Sequence, residues 1–351
     1  MTLDEISITL VYSAMAVYAI AFIAYAIDLA RRSAVAASAA DAAAASIASA
    51  EAPATVGAPA TVGATVSGGG TGAVASAKGG RGAASAALSD GASVAYGRSP
   101  SLRVGVAMTV LAWALHLAAD ITRGLAAGRV PWANMYEFAL TGTLIITSVY
   151  LLVLVVSKHD LRFLGTFITG LVLVLLGIAT VNFYVSVVPL PPALQSAWLV
   201  IHVFVATSAV GFLALGFALS VVQLMQSRRE TMLATAKQVK RSFLATLPDS
   251  ATLENLAYRV TIIGFILWTF TLMAGAIWAE AAWGRYWGWD TKEVWTFIIW
   301  VVYAGYIHAR ATRGWRGSRS AWLAIIGFST VMFNFTVVNL FFKGLHAYSG
   351  L

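Results

Sequence analysis

The strongest constraint on this sequence is a series of apolar runs, each long enough to cross a lipid bilayer. A transmembrane helix needs about 20 mainly apolar residues. Runs of this length cover residues 8–29, 102–123, 136–156, 163–185, 198–224, 257–278, 293–310 and 320–342. Because backbone polar groups in lipid must be satisfied within each segment, these runs indicate helices. The sequence therefore predicts an all-α, polytopic membrane helix bundle with about eight transmembrane helices.

Charged residues at the ends of these runs predict the orientation of the bundle. Asp4 and Glu5 precede the first run, and Arg31 and Arg32 close it, which favours a retained helix that begins outside over a cleavable signal peptide. Alternating crossings from that start place 18 of the 23 lysines and arginines on the cytoplasmic side, as the positive-inside rule requires. Both termini are then outside. The net charge of +8 is accounted for without a nucleic-acid partner.

Residues 33–99 differ in composition from the rest of the chain. They are mostly Ala, Gly, Ser and Thr, with few large apolar side chains, so they predict a disordered cytoplasmic linker. This linker separates a first transmembrane helix, residues 1–32, from a seven-helix domain, residues 100–351.

The five histidines are the candidate metal ligands, because the chain contains no cysteine and so has no thiolate site or disulfide. His116 and His308 lie within predicted membrane helices, where a polar side chain is costly and often functional. A hydrogen bond across a helix interface is the alternative for each. His202 and His346 lie on the outer side, where two neutral imidazoles can take both axial positions of a haem iron. His159 lies in a polar cytoplasmic turn and is predicted to be solvated.

The densest feature is an aromatic segment, residues 278–295, between the sixth and seventh predicted helices on the outer side. It holds five of the twelve tryptophans. A belt that anchors helix ends in lipid headgroups is one interpretation. The regular spacing instead favours a flat apolar platform, because Trp283 and Trp287 would share one face of a helical turn. A planar ligand with carboxylates suits such a platform. The candidate ligand-binding residues of this segment are Trp278, Trp283, Arg285, Tyr286, Trp287, Trp289, Asp290 and Trp295.

Two segments resemble a known family. Residues 283–295, WGRYWGWDTKEVW, resemble the tryptophan-rich "WWD" signature of haem-handling proteins. The resemblance is greatest to the System II cytochrome c biogenesis type called CcsA or ResC, and CcsB in some bacterial lineages. Residues 123–137, with Arg123 and Glu137 at their ends, resemble that family's outer segment before its third crossing. The four candidate histidines also follow the family's order, and the resemblance covers about residues 102–351.

The resemblance implies a membrane haem chaperone and haem lyase subunit. Such a protein presents haem b at the extracytoplasmic face of the bacterial plasma membrane for covalent attachment to apocytochrome c. His202 and His346 would be the axial ligands of the external haem, and the tryptophan-rich external loop 278–295, with Arg123, would contact the macrocycle. His116 and His308 would hold a second haem within the membrane. The implied partners are a ResB-like membrane subunit with a large external domain, the Cys-x-x-Cys-His motif of apocytochrome c, and a thioredoxin-like thiol reductant.

Other functions are compatible with parts of this pattern. A membrane dihaem electron-transfer protein also uses histidine pairs but needs no ordered tryptophan segment, and a transporter would be expected to show helix breaks and internal repeats. No residue is predicted to act as a general acid or base. For upright helices, a rise of 1.5 Å per residue places His116 nearer the outer surface than His308 by roughly 10 Å.

Overall fold

The computed structural model of the protein describes residues 1–50, 99–189, 195–235, 242–342 and 344–346. Within these residues the structure is all-α, which confirms the predicted fold class. The helices are α1 Leu3–Ala50, α2 Pro100–Ala127, α3 Met135–Val156, α4 Gly165–Asn182, α5 Ala197–Ala234, α6 Ser250–Trp283, α7 Thr291–Thr312 and α8 Ser318–Phe333. A π-helix, Asn334–Val338, and a last turn, α9 Asn339–Phe341, continue α8, and 3₁₀ turns lie at Arg162–Leu164 and Phe243–Thr246. Residues 30–99 and 240–247 group as a unit of their own, and all packing described below lies in the other unit.

Among the residues that the structure describes, seven helical segments are long and apolar enough to cross a membrane. They are Leu3–Val35, Pro100–Ala127, Met135–Val156, Arg162–Asn182, Ala197–Ala234, Ser250–Trp283 and Ser318–Phe341. The eighth predicted span is α7, whose 22 residues extend for about 33 Å. Arg310 near its end pairs with Glu254 at the start of α6, and Lys292 at its start contacts Asn339. Thus α7, although less apolar, runs along its neighbours from end to end, and the chain is a multi-pass membrane protein.

The first helix continues beyond its predicted end at residue 32. Residues 33–50, predicted as part of a disordered linker, are helical as far as Ala50. Alanine, which dominates this stretch, has the highest intrinsic helix propensity, so its composition suits a helix as well as a linker. The predicted linker residues 51–98 lie outside the described residues.

Close approaches between helices depend on small residues facing large ones. Tyr303 of α7 lies against Gly327 of α8, where an added Cβ would be 2.8 Å from the tyrosine ring. Tyr303 belongs to a buried core of α5 to α8 that also includes Trp268, Ile299 and Phe328. This packing mode is typical of membrane helices, where van der Waals contact drives association. These close contacts hold α5 to α8 together.

A buried ion cluster joins α1, α2 and α3. Arg123 is fully buried and pairs with Asp4 and Glu137, while Arg129 donates to Glu137 over 2.8 Å. Arg123 also donates to the carbonyl oxygen of Val185, which follows α4. Buried charges require this kind of pairing. The guanidinium of Arg123 thus joins these segments, and its predicted contact with haem stays a prediction.

Candidate functional site

A cavity of about 320 Å³ opens between α3, α4, α5, α6, α7 and α8, a size within the range of small-molecule sites. Its wall is mainly apolar and aromatic, with Trp132, Phe138, Trp268, Trp278 and Phe335 among the larger side chains. The polar side chains in the wall are Asn134, Thr143, His202, Thr207, Thr271, Lys292, Thr296, Asn334, Thr336, Asn339 and His346. The cavity therefore combines a large apolar surface with a few polar groups, two of which are the predicted external histidines.

His202 and His346 meet at this cavity although 143 residues separate them in the chain. The Nδ1 atom of His202 lies 3.0 Å from the carbonyl oxygen of Thr271. Nδ1 of His346 lies 2.7 Å from Oδ2 of Asp290. A carbonyl oxygen or a carboxylate accepts hydrogen bonds, so Nδ1 is the protonated nitrogen in both rings and Nε2 keeps its lone pair. This tautomer is the one in which a histidine can bind a metal through Nε2.

Trp278 near the end of α6 contacts both imidazoles. Its ring is nearly parallel to that of His202, with centroids 5.8 Å apart, and its centroid lies 5.5 Å from that of His346. Trp283 also packs against His346, with the centroids of the two rings 4.8 Å apart. Gly275 lets α6 approach α5 here, since a Cβ at this position would lie 2.7 Å from the His202 ring. Two indoles thus fix the positions of both imidazoles.

Asp290 connects the tryptophan-rich loop to the C-terminal segment. It is the N-cap residue of α7 and forms a capping box with Glu293, whose carboxylate accepts from the backbone N–H of Gly288 and of Asp290. The hydrogen bond from His346 holds the pKa of the Asp290 carboxyl below its usual range. Gly344 lies so near that a Cβ there would collide with this carboxylate. Asp290 therefore contacts the candidate ligand His346 and does not itself line the cavity.

Lys292 and two asparagines form a polar corner of the cavity. Nζ of Lys292 donates to the carbonyl oxygen of Asn334 over 3.3 Å and to Oδ1 of Asn339. Asn334 begins the π-helix that interrupts the last span, a distortion often found at functional sites. Sequence reasoning missed both asparagines, which could have been found as polar residues inside the predicted span 320–342.

Most of the tryptophan-rich loop lies outside the cavity. The predicted helical platform does not form, because α6 ends at Trp283 and Gly284 takes a left-handed conformation with φ of 69°, a common helix C-cap. Tyr286 and Trp289 are 63% and 71% exposed. Arg285, Tyr286 and Trp289 are exposed, Trp287 packs on Trp289, and Trp295 packs on Phe333. None of these five residues is in the cavity wall, and their contact with a ligand stays a prediction.

The predicted membrane pair, His116 and His308, is not part of the cavity wall. The ring of His116 is completely buried, with Nε2 3.0 Å from the carbonyl oxygen of Leu140 and Nδ1 3.4 Å from the hydroxyl oxygen of Tyr18. His308 is exposed on α7. Both nitrogens of His116 have protein partners, as in the interhelical alternative considered for it. That these two residues hold a second haem stays a prediction.

Comparison with known proteins places the chain in a family. Residues 132–346, which include the cavity's histidines, match the family of the cytochrome c assembly protein. The chain belongs to this family. It is similar to the cytochrome c biogenesis protein CcsA of Guillardia theta, with 35% identity over 263 residues, 71% of this chain and 86% of the relative. CcsA of Prochlorococcus marinus is 35% identical over 273 residues, 71% of this chain and 84% of the relative.

A solved structure shares the fold of this cytochrome c assembly protein. The cytochrome c haem lyase CcmF aligns with a TM-score of 0.57 and 15% identity, covering 95% of this chain and 47% of CcmF. This chain thus spans about half the length of that structure. The curated relatives identify the chain as a CcsA-type protein, and cytochrome c biogenesis is the process in which it takes part.

Proposed function

We propose that this CcsA-type protein is a membrane haem chaperone and haem lyase subunit. His202 and His346 would hold the iron of haem b as axial ligands in the cavity that α3 to α8 line. From there the protein would present haem to apocytochrome c. The observation that carries this proposal is that both imidazoles face one apolar cavity with Nδ1 engaged and Nε2 available.

The residues of the cavity fit haem better than a bare metal ion. Among the described residues, no group of three or more His, Cys, Asp and Glu side chains is arranged to hold a metal. A pair of imidazoles is sufficient for an iron whose other four ligands come from a porphyrin. The apolar wall and Trp278 supply the contact surface that a planar macrocycle needs.

The protein acts mainly by orientation. When bound, haem supplies an iron with two axial positions and two vinyl groups, across each of which a cysteine S–H of the substrate can add. Thr271 and Asp290 hold the two histidines in the metal-binding tautomer, and Trp278 and Trp283 fix their planes. Holding the reactants in place in this way lowers the entropic part of the barrier. The side chains needed for thiol chemistry belong to the substrate, because this chain has no cysteine.

The proposal includes the setting of the reaction. We place His346 on the extracytoplasmic face of a bacterial plasma membrane, in accord with the positive-inside distribution of basic residues. The partners we propose are a ResB-like membrane subunit with a large external domain, apocytochrome c with its Cys-x-x-Cys-His motif, and a thioredoxin-like protein that keeps the substrate thiols reduced. The dihaem electron-transfer alternative needs a second histidine pair, whereas His116 is hydrogen-bonded within the protein and His308 is exposed.

Cytochrome c maturation in cells tests this function. Cells whose only copy of the protein carries His202→Ala or His346→Ala are expected to lose covalently bound haem in their c-type cytochromes, as measured by haem staining. His159→Ala is the matched control, because this histidine is exposed. Imidazole in the medium is expected to restore maturation in part, since it can replace a missing axial ligand. Normal maturation in both cavity variants, at normal protein levels, would overturn the proposal.

A further inference from the structure

Lys292 carries a positive charge to the wall of the cavity without a matching negative charge at salt-bridge distance. Its Nζ atom donates to two neutral oxygens, the carbonyl of Asn334 and Oδ1 of Asn339. Among the described residues, no carboxylate pairs with it within 4.0 Å. The nearest candidate, Asp290, is hydrogen-bonded to His346. An ammonium group has three N–H donors, so one donor of Lys292 has no protein partner here.

Two further donors in the same wall make no hydrogen bond. Nδ2 of Asn134 and Nε1 of Trp132 are buried, and neither has a partner among the described residues. The amide orientation of Asn134 is fixed, since its Oδ1 accepts from the backbone N–H of Glu137 and caps α3. Buried polar groups are normally satisfied. Unpartnered donors beside a cation therefore indicate a ligand that accepts hydrogen bonds.

Asn339 links these donors into one corner of the cavity. Its Oδ1 accepts from Lys292, and its Nδ2 lies 3.3 Å from the sulfur of Met135, the residue after Asn134. The first turn of α7, the π-distorted end of α8 and the first turn of α3 thus meet at this point. A single anionic group placed here can accept from Lys292 and from the nearby amide.

We infer that Lys292 and Asn134 form a binding subsite for a carboxylate, namely a propionate of the porphyrin. The inference rests on the proposed function, because it assumes that the cavity holds haem. Its consequence is directional: anchoring the propionate edge at the start of α7 turns the opposite, vinyl-bearing edge away from Lys292. The subsite therefore sets which edge of the macrocycle a substrate thiol can reach. The sequence suggests Arg285, Lys292 or indole N–H groups as partners of the ligand's carboxylates; of the two basic residues, Arg285 is exposed and Lys292 lines the cavity.

Esterified porphyrin separates this subsite from haem binding in general. Purified protein in detergent is titrated with ferric haem and with ferric haem dimethyl ester, whose propionates are uncharged, and binding is followed by the Soret absorbance. Charge-assisted hydrogen bonds are stronger than neutral ones, so the unaltered protein is expected to prefer haem by about tenfold to a hundredfold. Lys292→Gln is expected to remove that preference while binding the ester as the unaltered protein does. Unchanged ester binding shows that the variant is folded.

Two further variants make the outcome decisive. Asn134→Asp keeps a good N-cap residue but sets a carboxylate against the propionate, so haem affinity is expected to fall more than ester affinity. Arg285→Gln is the control and is expected to keep the full preference for haem. A preference that survives Lys292→Gln, or that Arg285→Gln removes, overturns the subsite. If the unaltered protein binds neither porphyrin, the proposed function fails first, and the two failures are thus distinguishable.

Discussion

Replacing Asp290 with asparagine tests how Asp290 affects His346 as a proposed iron ligand. Asn keeps the size of the side chain and is an equally good N-cap, so α7 is expected to start as before. What changes is the acceptor for Nδ1 of His346, now 2.7 Å from a carboxylate oxygen. A neutral acceptor makes the imidazole less basic and weakens its bond to iron. Asp290 is thus expected to act as a positioning residue through His346.

The size of this effect can be bounded. Loss of a carboxylate behind a metal-bound histidine typically costs about 10- to 100-fold in metal affinity, or about 1.4–2.7 kcal/mol. We expect Asp290→Asn near the lower limit, because its Oδ1 can still accept the hydrogen bond. Asp290→Ser is expected near the upper limit, because serine caps the helix but is too short to reach His346.

Haem titration and the haem reduction potential are the measurements. A less basic imidazole stabilises ferric iron less, so the potential is expected to rise in Asp290→Asn, a change that altered folding alone would not produce. Asp160→Asn, in an exposed turn where the carboxylate pairs with Arg162, is the control. If Asp290→Asn keeps the original affinity and potential while His346→Ala loses haem, the reasoning about Asp290 is refuted.

Three other substitutions have defined outcomes. Gly344→Ala places a Cβ against the Asp290 carboxylate, so haem affinity in a Soret titration should fall as it does for Asp290→Ser; wild-type affinity would contradict this geometry. Trp278→Leu removes the indole that contacts both imidazoles and should weaken haem binding about tenfold. Trp289→Leu is the control and should leave haem binding unchanged. Equal effects of the two substitutions would argue against the cavity as the haem site. Arg123→Met removes the buried guanidinium that pairs with Asp4 and Glu137. Because Arg129 still pairs with Glu137, the cost should stay below the about 3–5 kcal/mol of a fully broken buried pair. The thermal unfolding midpoint in detergent should fall without a change in haem affinity; an unchanged midpoint would show that the ion cluster adds no stability.

Much of the fold could be predicted from the sequence because apolar length is a direct physical requirement of the bilayer. Each predicted span has a helix at its place, with ends shifted by several residues. The ends shifted because polar and small residues outside lipid can extend a helix, as at Ser250–Trp283 and Leu3–Ala50. The alanine-rich stretch 33–50 shows the limit of composition, since the same residues suit a linker and a helix.

The site could be predicted only in part. His202 and His346 were identified because the predicted topology places each at the outer side of the bundle, and one cavity is lined by both. The partners of these histidines depend on tertiary contacts: nothing local pairs Asp290 with His346, or Thr271 with His202. The assumption of a helical turn failed at Gly284, where a left-handed residue ends α6. Spacing alone therefore overestimated how many aromatic residues face the cavity.

Buried polar residues in the membrane helices were the least predictable. Arg123 and His116 are both fully buried, and burial of a polar group indicates function or structural pairing equally well. The choice depends on partners from distant parts of the chain, such as Asp4 for Arg123 and Tyr18 for His116. These partners appear only in the packed structure.

Electron paramagnetic resonance of the ferric haem complex tests most directly whether His202 and His346 bind the iron. Purified protein is expected to give a low-spin spectrum of a bis-imidazole haem. His202→Ala and His346→Ala are each expected to give a high-spin spectrum that added imidazole returns to low spin, while His159→Ala remains low spin. A low-spin bis-imidazole spectrum that persists in the His202→Ala/His346→Ala double variant would contradict the assignment of both ligands.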